Sequence, residues 1–334
     1  MRPERRLEGN GEGSLKTAVF LMNLGGPRNL DEVESYLYEL FSDPLVVTAP
    51  LGPLRPLFAK LVSHFRAPSS AEKYGLIGGR SPLVEGTLSQ AGALAALLGP
   101  GYSVHPAMRC GHPNTEEAVR DALAAGAERA VSLPLYPQFA NATTTSSLRE
   151  MRRVWPRERP LHEVCSYPDH PSWLAASAAA LREAMGRVKP ENRDKLLVVF
   201  SAHGLPISQV RKGDTYPAEV EASARGTAER AGVASFQVTY QSRVGPARWL
   251  GPDTVQWLEA NSRGRAVVTH PIAFVSEHLE TLYDMDILAA AAAHKGGALE
   301  YHRAAAVGTR PEFIEALADV VKRTLAAAVP APRS

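Results

Sequence analysis

The chain has 334 residues, 45% hydrophobic and 22% charged, and 37 basic against 35 acidic side chains leave a formal net charge of +2. That length suits two domains or one large α/β unit, the composition excludes general disorder, and so even a charge balance lacks the concentrated basic surface that nucleic acid requires. The two cysteines, Cys110 and Cys165, exclude a disulfide framework and a four-cysteine metal site, and fit a reducing cytoplasm.

Residues 1–14 are charged and glycine-rich. They lack the apolar core of a signal peptide and read as a disordered leader. Lys16–Asn23 is a nearly continuous apolar run closed by Gly25-Gly26-Pro27, the pattern of a strand buried on both faces. Asn29 then opens an amphipathic helix through Phe41. The most apolar long stretch, Pro44–Leu61, contains Pro44, Pro50, Pro53, Arg55 and Pro56, which rule out a membrane-spanning helix. Its part from Leu45 to Phe58 reads as an exposed apolar lip or as packed loop. A helix over Gln90–Leu98, a strand over Tyr102–Met108, a helix over Thr115–Ala125, a strand over Arg129–Leu135 and a helix over Ser146–Val154 follow. Strands alternating with helices imply βαβ units and a parallel sheet.

The pattern then restarts. Lys195–Phe200 is an apolar strand running into Ser201-Ala202-His203-Gly204-Leu205-Pro206. Helix 219–232, strand 235–239, helix 254–261, strand 265–274 and helix 276–288 come next, and a terminal amphipathic helix ends at Ala328 before a proline-rich tail at 329–334. The two strand-then-Gly-x-Pro segments superpose with Leu24 on His203, about half the chain apart. The expected architecture is therefore two similar α/β lobes, each a parallel sheet flanked by helices, with a cleft between them. The first lobe is expected over 15–175, joined by the terminal helix at 311–328, and the second over 176–310. Ligands in open α/β sheets sit beyond the carboxyl ends of the strands. Leu24 and His203 are thus expected to face one another across the cleft.

His203 follows an apolar strand directly, at its functional end. An imidazole of pKa ~6.5 exchanges a proton near neutrality, and its neutral form is a good transition-metal ligand. A core histidine bonded to backbone is the plainer alternative. In Ser276–Asp286, the acids Glu277, Glu280 and Asp284 are spaced by three and then four, which on a helix puts them on one face with Ser276 as the cap. A cation or transferred protons would offset their repulsion. An acidic first turn is also a routine stabilising device. Gly25-Gly26-Pro27 lacks the spacing of a dinucleotide fingerprint, and Gly78–Pro82 is no P-loop. Arg66, Arg80 and Arg109 are of the type that grips carboxylates, though scattered arginines are also ordinary surface residues.

Taken together, six segments resemble ferrochelatase, from about Ala18 to Leu325. They are Asn23-Leu24-Gly25-Gly26-Pro27, Tyr74-x-x-Ile77-Gly78-Gly79-x-Ser81-Pro82, Leu135-Tyr136-Pro137-Gln138-Phe139, Ser201–Pro206, Gln241-Ser242-x-Val244-Gly245-Pro246-x-x-Trp249-Leu250-Gly251-Pro252, and Phe274-x-Ser276-Glu277-His278-Leu279-Glu280-Thr281-Leu282. Their specificity lies in the combination and the order. The resemblance implies two Rossmann-like lobes around a porphyrin cleft, and insertion of ferrous iron into the ring as the last metal step of haem synthesis. It makes His203 the active-site histidine and Glu280 its paired carboxylate, the two residues expected to act on the inner protons and to meet the metal. Leu24 takes the position facing that histidine across the ring. Arg109 matches an active-site arginine, Phe274 a ring-contacting aromatic and Tyr136 a pocket tyrosine, with Trp249 as a further wall. Arg66, Tyr74 and Ser81 match residues that hold the propionates, and Glu277 and Asp284 are expected to extend a relay outward from Glu280.

Iron is by this resemblance a substrate and not a cofactor. Some family members carry a cysteine-rich extension that binds a [2Fe–2S] cluster; no cysteine follows Cys165, so no cluster is expected. The family divides between protoporphyrin IX and coproporphyrin III, and the coproporphyrin type carries Tyr or Phe where Leu24 stands, which favours protoporphyrin here. Two other readings stay open at this stage. One is a chelatase putting Co²⁺ or Ni²⁺ into a more reduced tetrapyrrole, and the other is a non-catalytic tetrapyrrole or haem carrier. The expected location is cytoplasmic, with peripheral contact to a membrane or partner enzyme through the 45–58 segment.

Overall fold

The structure is a computed structural model that describes residues 16–243 and 247–327. The leader, the tail and the Val244-Gly245-Pro246 part of the fifth motif lie outside the described residues.

The first half of the chain runs β1 (Thr17–Asn23), α1 (Val33–Ser42), α2 (Arg55–Leu76), α3 (Leu83–Leu98), β2 (Tyr102–Met108), α4 (Thr115–Ala124), β3 (Arg129–Pro134), α5 (Ser146–Val154), β4 (Leu161–Glu163) and α6 (Pro171–Gly186). The second runs β5 (Leu196–His203), α7 (Ile207–Val210), α8 (Tyr216–Ala231), β6 (Phe236–Gln241), α9 (Thr254–Asn261), β7 (Ala266–Pro271), α10 (Leu279–Leu282), α11 (Ala290–Lys295), β8 (Glu300–Arg303) and α12 (Pro311–Ala327). The first sheet has the order β2-β1-β3-β4 and the second β6-β5-β7-β8. Every pairing in both is parallel. The second sheet thus repeats the first strand for strand, as the two superposable motifs predict. In each, the strand carrying the Gly-x-Pro turn lies inside the sheet, and β1 is buried along its whole length. Burial on both faces is why these strands read as unbroken apolar runs.

Local sequence sets the helix ends. Asn114 accepts from the Glu117 N–H while the Glu117 carboxylate accepts from the Asn114 N–H, a reciprocal cap for α4. Gly232, at φ +75°, ends α8 in the left-handed region. The largest departure is α2. The proline-rich stretch reads as lip or loop, yet a 22-residue helix starts at Arg55. Pro56 falls in its first turn, where a missing N–H breaks no helical bond. The helix expected over Gln90–Leu98 likewise starts earlier, at Leu83.

The two sheets share one core. A continuous apolar cluster takes in Val19 and Leu133 of the first sheet, Phe200 and Val268 of the second, and Trp173 and Phe313 between them. Trp173 of α6 and Phe313 of α12 meet edge to face at 5.7 Å. Helix α12 packs on α3, α6 and β3, and α6 packs on α8 and β7. The expected boundary at 175/176 falls inside α6. Two buried glutamines tie the lobes directly. Gln90 Nε2 donates to the carbonyls of Val275 (3.1 Å) and Gly308 (3.0 Å). Gln138 Nε2 donates to Ser223 Oγ (2.9 Å) and the Ile272 carbonyl (3.2 Å). Both therefore grip the chain just before the acidic motif.

Candidate active site between the lobes

Leu24, Arg109 and Tyr136 follow the carboxyl ends of β1, β2 and β3, and His203, Ser242 and Phe274 end or follow β5, β6 and β7. The α1–α2 hairpin of the first lobe reaches across, and Leu279 of α10 packs against its Val33, Leu37 and Tyr74.

On the second-lobe side, β5 delivers His203 and the chain turns at once. A Cβ on Gly204 would stand 2.8 Å from the Gln241 carbonyl oxygen, so only glycine fits. The Gly204 N–H donates to that same oxygen at 2.7 Å. Trp249 pairs along the Pro206 backbone and walls the turn. Beneath lies a buried polar chain. Gln241 Oε1 accepts from Ser201 Oγ at 2.7 Å, and Ser201 Oγ contacts Thr254 Oγ1 at 3.0 Å. Gln241 Nε2 donates to the Glu280 carbonyl at 2.9 Å, which links the floor to the acidic turn.

The helix expected over 276–288 is broken. His278, at φ −161°, is extended, and its Nδ1 accepts the Glu280 N–H at 2.9 Å, so His278 and not Ser276 is the cap. That bond puts the His278 ring proton on Nε2. Ser276 Oγ donates instead to Gln90 Oε1 at 3.2 Å. After α10 the chain widens into a π-helix over Asp284–Ala289. The three acids consequently do not share one helical face. Glu280 Oε2 lies 2.9 Å from His203 Nδ1. Asp284 Oδ2 accepts from Ser242 Oγ at 2.6 Å. Glu277, before the helix, is held by Arg303 at 3.0 Å and by the Ala306 N–H at 2.9 Å. The structure brings His203, Glu280 and Asp284 together and sets Glu277 in an ion pair of its own.

The charges follow from that packing. Burial alone would lower the His203 pKa, but the charge and hydrogen bond of Glu280, with Asp284 behind it, hold it above its ordinary value. Burial pushes Glu280 up, yet the His203 ring outweighs it and the carboxyl ends below its ordinary value. Asp284 is raised to about 6 by burial and then by the neighbouring Glu280. His278 is lowered, chiefly by burial. The site thus holds an ionised carboxylate on a basic imidazole, next to an acid that titrates near neutrality.

On the first-lobe side, two glycines make Leu24's turn. Gly25 has φ +92°, and a Cβ there would lie 1.8 Å from the Cys110 carbonyl oxygen. A Cβ on Gly26 would meet Ser81 Oγ at 2.6 Å. Leu24 is half-buried, its N–H donating to Asn23 Oδ1 at 2.9 Å. Arg109 Nη2 donates to Asp43 Oδ2 at 2.6 Å and its Nε to Ser146 Oγ at 2.8 Å. The Tyr136 hydroxyl is buried beside the Ser147 side chain. Tyr74 is buried, its phenol pushed far up by burial and then by Glu280. Ser81 is buried, with its Oγ accepting from the Leu83 N–H at 3.3 Å. The Arg66 guanidinium sits over the Phe41 ring at 5.7 Å. The Phe274 ring meets His278 at 4.4 Å, edge to face.

Several neighbours escape a sequence reading. Tyr36 of α1 stands near Tyr74, Cys110, Glu280 and Tyr136, and burial first, then these neighbours, push its phenol well above the ordinary value. Asp43 fixes Arg109 from 66 residues away. His278 lies inside a quoted motif, but a helical reading hides its capping role.

The ferrochelatase family profile matches residues 16–325. The ferrochelatase of Geobacter metallireducens is 38% identical over 315 residues, spanning 93% of this chain and 99% of its own. That of Caulobacter vibrioides is 41% identical over 314 residues, spanning 92% of this chain and 90% of its own. Among solved structures, SirB from Bacillus subtilis with Fe³⁺ superposes with a TM-score of 0.56 at 14% identity, covering 94% of this chain and 97% of SirB, a likeness of fold. The profile spans nearly the whole chain, and the relatives share more than a third of its residues from end to end. The chain belongs to the ferrochelatase family, enzymes that insert a metal ion into a tetrapyrrole ring.

Proposed function

We propose that this enzyme inserts ferrous iron into protoporphyrin IX, the closing metallation of haem synthesis, and that His203 takes the inner N–H protons. The observation that carries the reading is the pair His203 Nδ1–Glu280 Oε2 at 2.9 Å, at the carboxyl ends of the second sheet and against the α1–α2 hairpin of the first lobe. The histidine side chain keeps 39% of its exposure. Nδ1 is occupied by Glu280, and among the described residues Nε2 has no hydrogen-bond partner. A neutral ring that donates Nδ1–H to a carboxylate offers its Nε2 lone pair outward and is stabilised on gaining a proton. The porphyrin loses two such protons as the dication enters. Asp284, titrating at about 6, is suited to pass them on.

The metal path rests on the same residues. Glu280 is the carboxylate nearer the metal path and replaces water on the incoming iron, while His203 Nε2 can meet the metal only when it holds no proton, since one ring nitrogen cannot do both at once. Among the described residues no cluster of three or more His, Cys, Asp or Glu could hold a metal ion. The reaction requires a site that hands its ion on to the ring. Iron enters as substrate, and no resident cofactor is assigned. Affinity for Zn²⁺ exceeds that for Fe²⁺ at such donors, so supply sets much of the selectivity. Leu24, Trp249 and Phe274 are the bulky walls that would hold the ring puckered, and Arg66, Arg109, Tyr74, Tyr136 and Ser81 complete the porphyrin contacts in this reading. Leu24 in place of an aromatic supports protoporphyrin over coproporphyrin III.

Membrane contact belongs to the same proposal, with its position revised. The exposed apolar stripe is Leu54 (63%), Leu57 (57%), Leu61 (50%) and Phe65 (76%), which runs along one face of α2 beyond the 45–58 segment. Lys60 is exposed on the same helix, and an apolar stripe accompanied by a basic residue is of the kind that rests on an anionic surface. No described helix is long and apolar enough to cross a membrane. Peripheral attachment at the cytoplasmic face is the location this supports.

The test is a parallel anaerobic assay of protoporphyrin IX, coproporphyrin III and sirohydrochlorin with Fe²⁺, Co²⁺ and Ni²⁺. Multiple turnovers with iron, fastest on protoporphyrin, support the proposal. Preference for coproporphyrin overturns the substrate, preference for sirohydrochlorin with Co²⁺ or Ni²⁺ overturns the reaction, and binding without turnover marks a carrier.

A further inference from the structure

Strand β8 lies at the edge of the second sheet beside β7, and its Tyr301 and Arg303 bond to residues of the acidic turn. Arg303 ends the strand, with its side chain 11% exposed. Its Nε and Nη2 donate to the two oxygens of Asp286 at 2.7 and 2.9 Å. Its Nη1 donates to Glu277 Oε1 at 3.0 Å. These two acids bracket His278, Glu280 and Asp284. Tyr301 lies two residues earlier, on the same face of the strand. Its hydroxyl donates to the Met285 carbonyl at 2.8 Å and lies 2.9 Å from Thr269 Oγ1.

What these residues hold is weak on its own. Helix α10 has four residues, and the chain passes from it into the π-helix at Asp284. One short turn is not stable by itself, and π-helical turns are rare and frequently found at functional sites. The Glu280 carbonyl and the Asp284 carboxylate are gripped by Gln241 and Ser242 at the middle of the turn. Arg303 and Tyr301 grip both ends.

We infer that Arg303 and Tyr301 are positioning residues for metallation. By clamping Glu277, Met285 and Asp286, they hold the intervening turn so that Glu280 stays in register with His203 Nδ1. Neither residue touches the ring or the metal. The inference rests on the proposed function and adds to it the element that keeps the imidazole–carboxylate pair assembled. A misplacement of about 1 Å in such a pair costs about 100-fold in rate. A merely stabilising ion pair would lower the melting temperature and leave turnover of the folded fraction unchanged.

The experiment compares R303Q, R303K and Y301F with the wild type. The readouts are kcat for Fe²⁺ insertion into protoporphyrin IX, porphyrin Kd from fluorescence quenching, and melting temperature. In R303Q, kcat is expected to fall by about 10- to 100-fold while porphyrin Kd is unchanged. R303K keeps a cation for one acid and is expected to recover part of that loss. Where R303Q does not fold, Y301F decides, since it removes a single oxygen; its kcat is expected to drop several-fold with the melting temperature near wild type. Wild-type kcat in the folded variants, or a loss of porphyrin affinity in step with kcat, overturns the inference. Wild-type protein that metallates no tetrapyrrole overturns the parent reading and the inference together, whereas a working wild type beside an unimpaired R303Q overturns the inference alone.

Discussion

Glu280 holds His203 by one ring nitrogen only, Nδ1, at 2.9 Å. The other nitrogen has no hydrogen-bond partner among the described residues, and the proposed reaction uses it. Replacing Glu280 by glutamine keeps the shape and removes the charge that stabilises the protonated ring. We predict that E280Q lowers kcat by ~10- to 100-fold and leaves porphyrin affinity nearly intact. Fluorescence titration beside an iron-insertion assay separates the two, and an unchanged kcat removes Glu280 from the mechanism.

The same pair sets a pH dependence whose sign can be worked out. The base acts in its neutral form, so kcat/KM falls as pH drops through the His203 pKa. Glu280 and Asp284 both raise that pKa. Removing either charge lowers it. The acid limb of the profile therefore moves to lower pH in E280Q and in D284N, with the larger shift in E280Q, since Glu280 is the nearer charge. A limb that stays in place or moves upward contradicts His203 as the titrating base.

Gly25 tests how the Leu24 turn is built. At φ +92° with the Cys110 oxygen 1.8 Å from any added Cβ, alanine needs both a strained backbone and displacement of another main chain. We expect G25A to lose at least ~2 kcal/mol of stability. Chemical denaturation measures this, and a wild-type midpoint would show that the turn has slack the structure does not display.

Gln90 tests the rigidity of the two lobes. Leucine fills a similar volume but strands the Gly308 carbonyl and the Ser276 hydroxyl, and leaves the Val275 carbonyl with the Gly308 N–H alone. Each buried group left unpaired costs about 1–3 kcal/mol. Q90L should lower the melting temperature clearly and also reduce kcat, because Val275 and Ser276 lead directly into the turn that carries Glu280, the proposed partner of His203. A stability loss with wild-type kcat would mean that the turn does not depend on the first lobe.

Much of this fold is legible in the residues because its central strands are covered on both faces. Burial of Ala18–Met22 and of Val198–Ala202 leaves continuous apolar runs, and the close approaches at Gly25 and Gly204 demand glycine. The duplication shows for the same reason, since both halves repeat that combination. Helix α2 is hidden because prolines that mark loops elsewhere are tolerated in a first turn, as Pro56 is. The acidic turn misleads in the opposite way. Glu277, Glu280 and Asp284 have helical spacing, but long-range partners decide the backbone: Arg303 draws Glu277 aside, Tyr301 holds Met285, and His278 caps the helix. Asp43 and Arg109 illustrate the remaining limit, because an ion pair between distant residues leaves no periodic trace.

The most direct measurement is anaerobic iron insertion by His203→Ala, with porphyrin binding followed on the same sample. H203A is expected to bind protoporphyrin as the wild type does and to metallate almost none of it. Turnover at the wild-type rate would contradict this, for the inner protons would then be leaving by some other group.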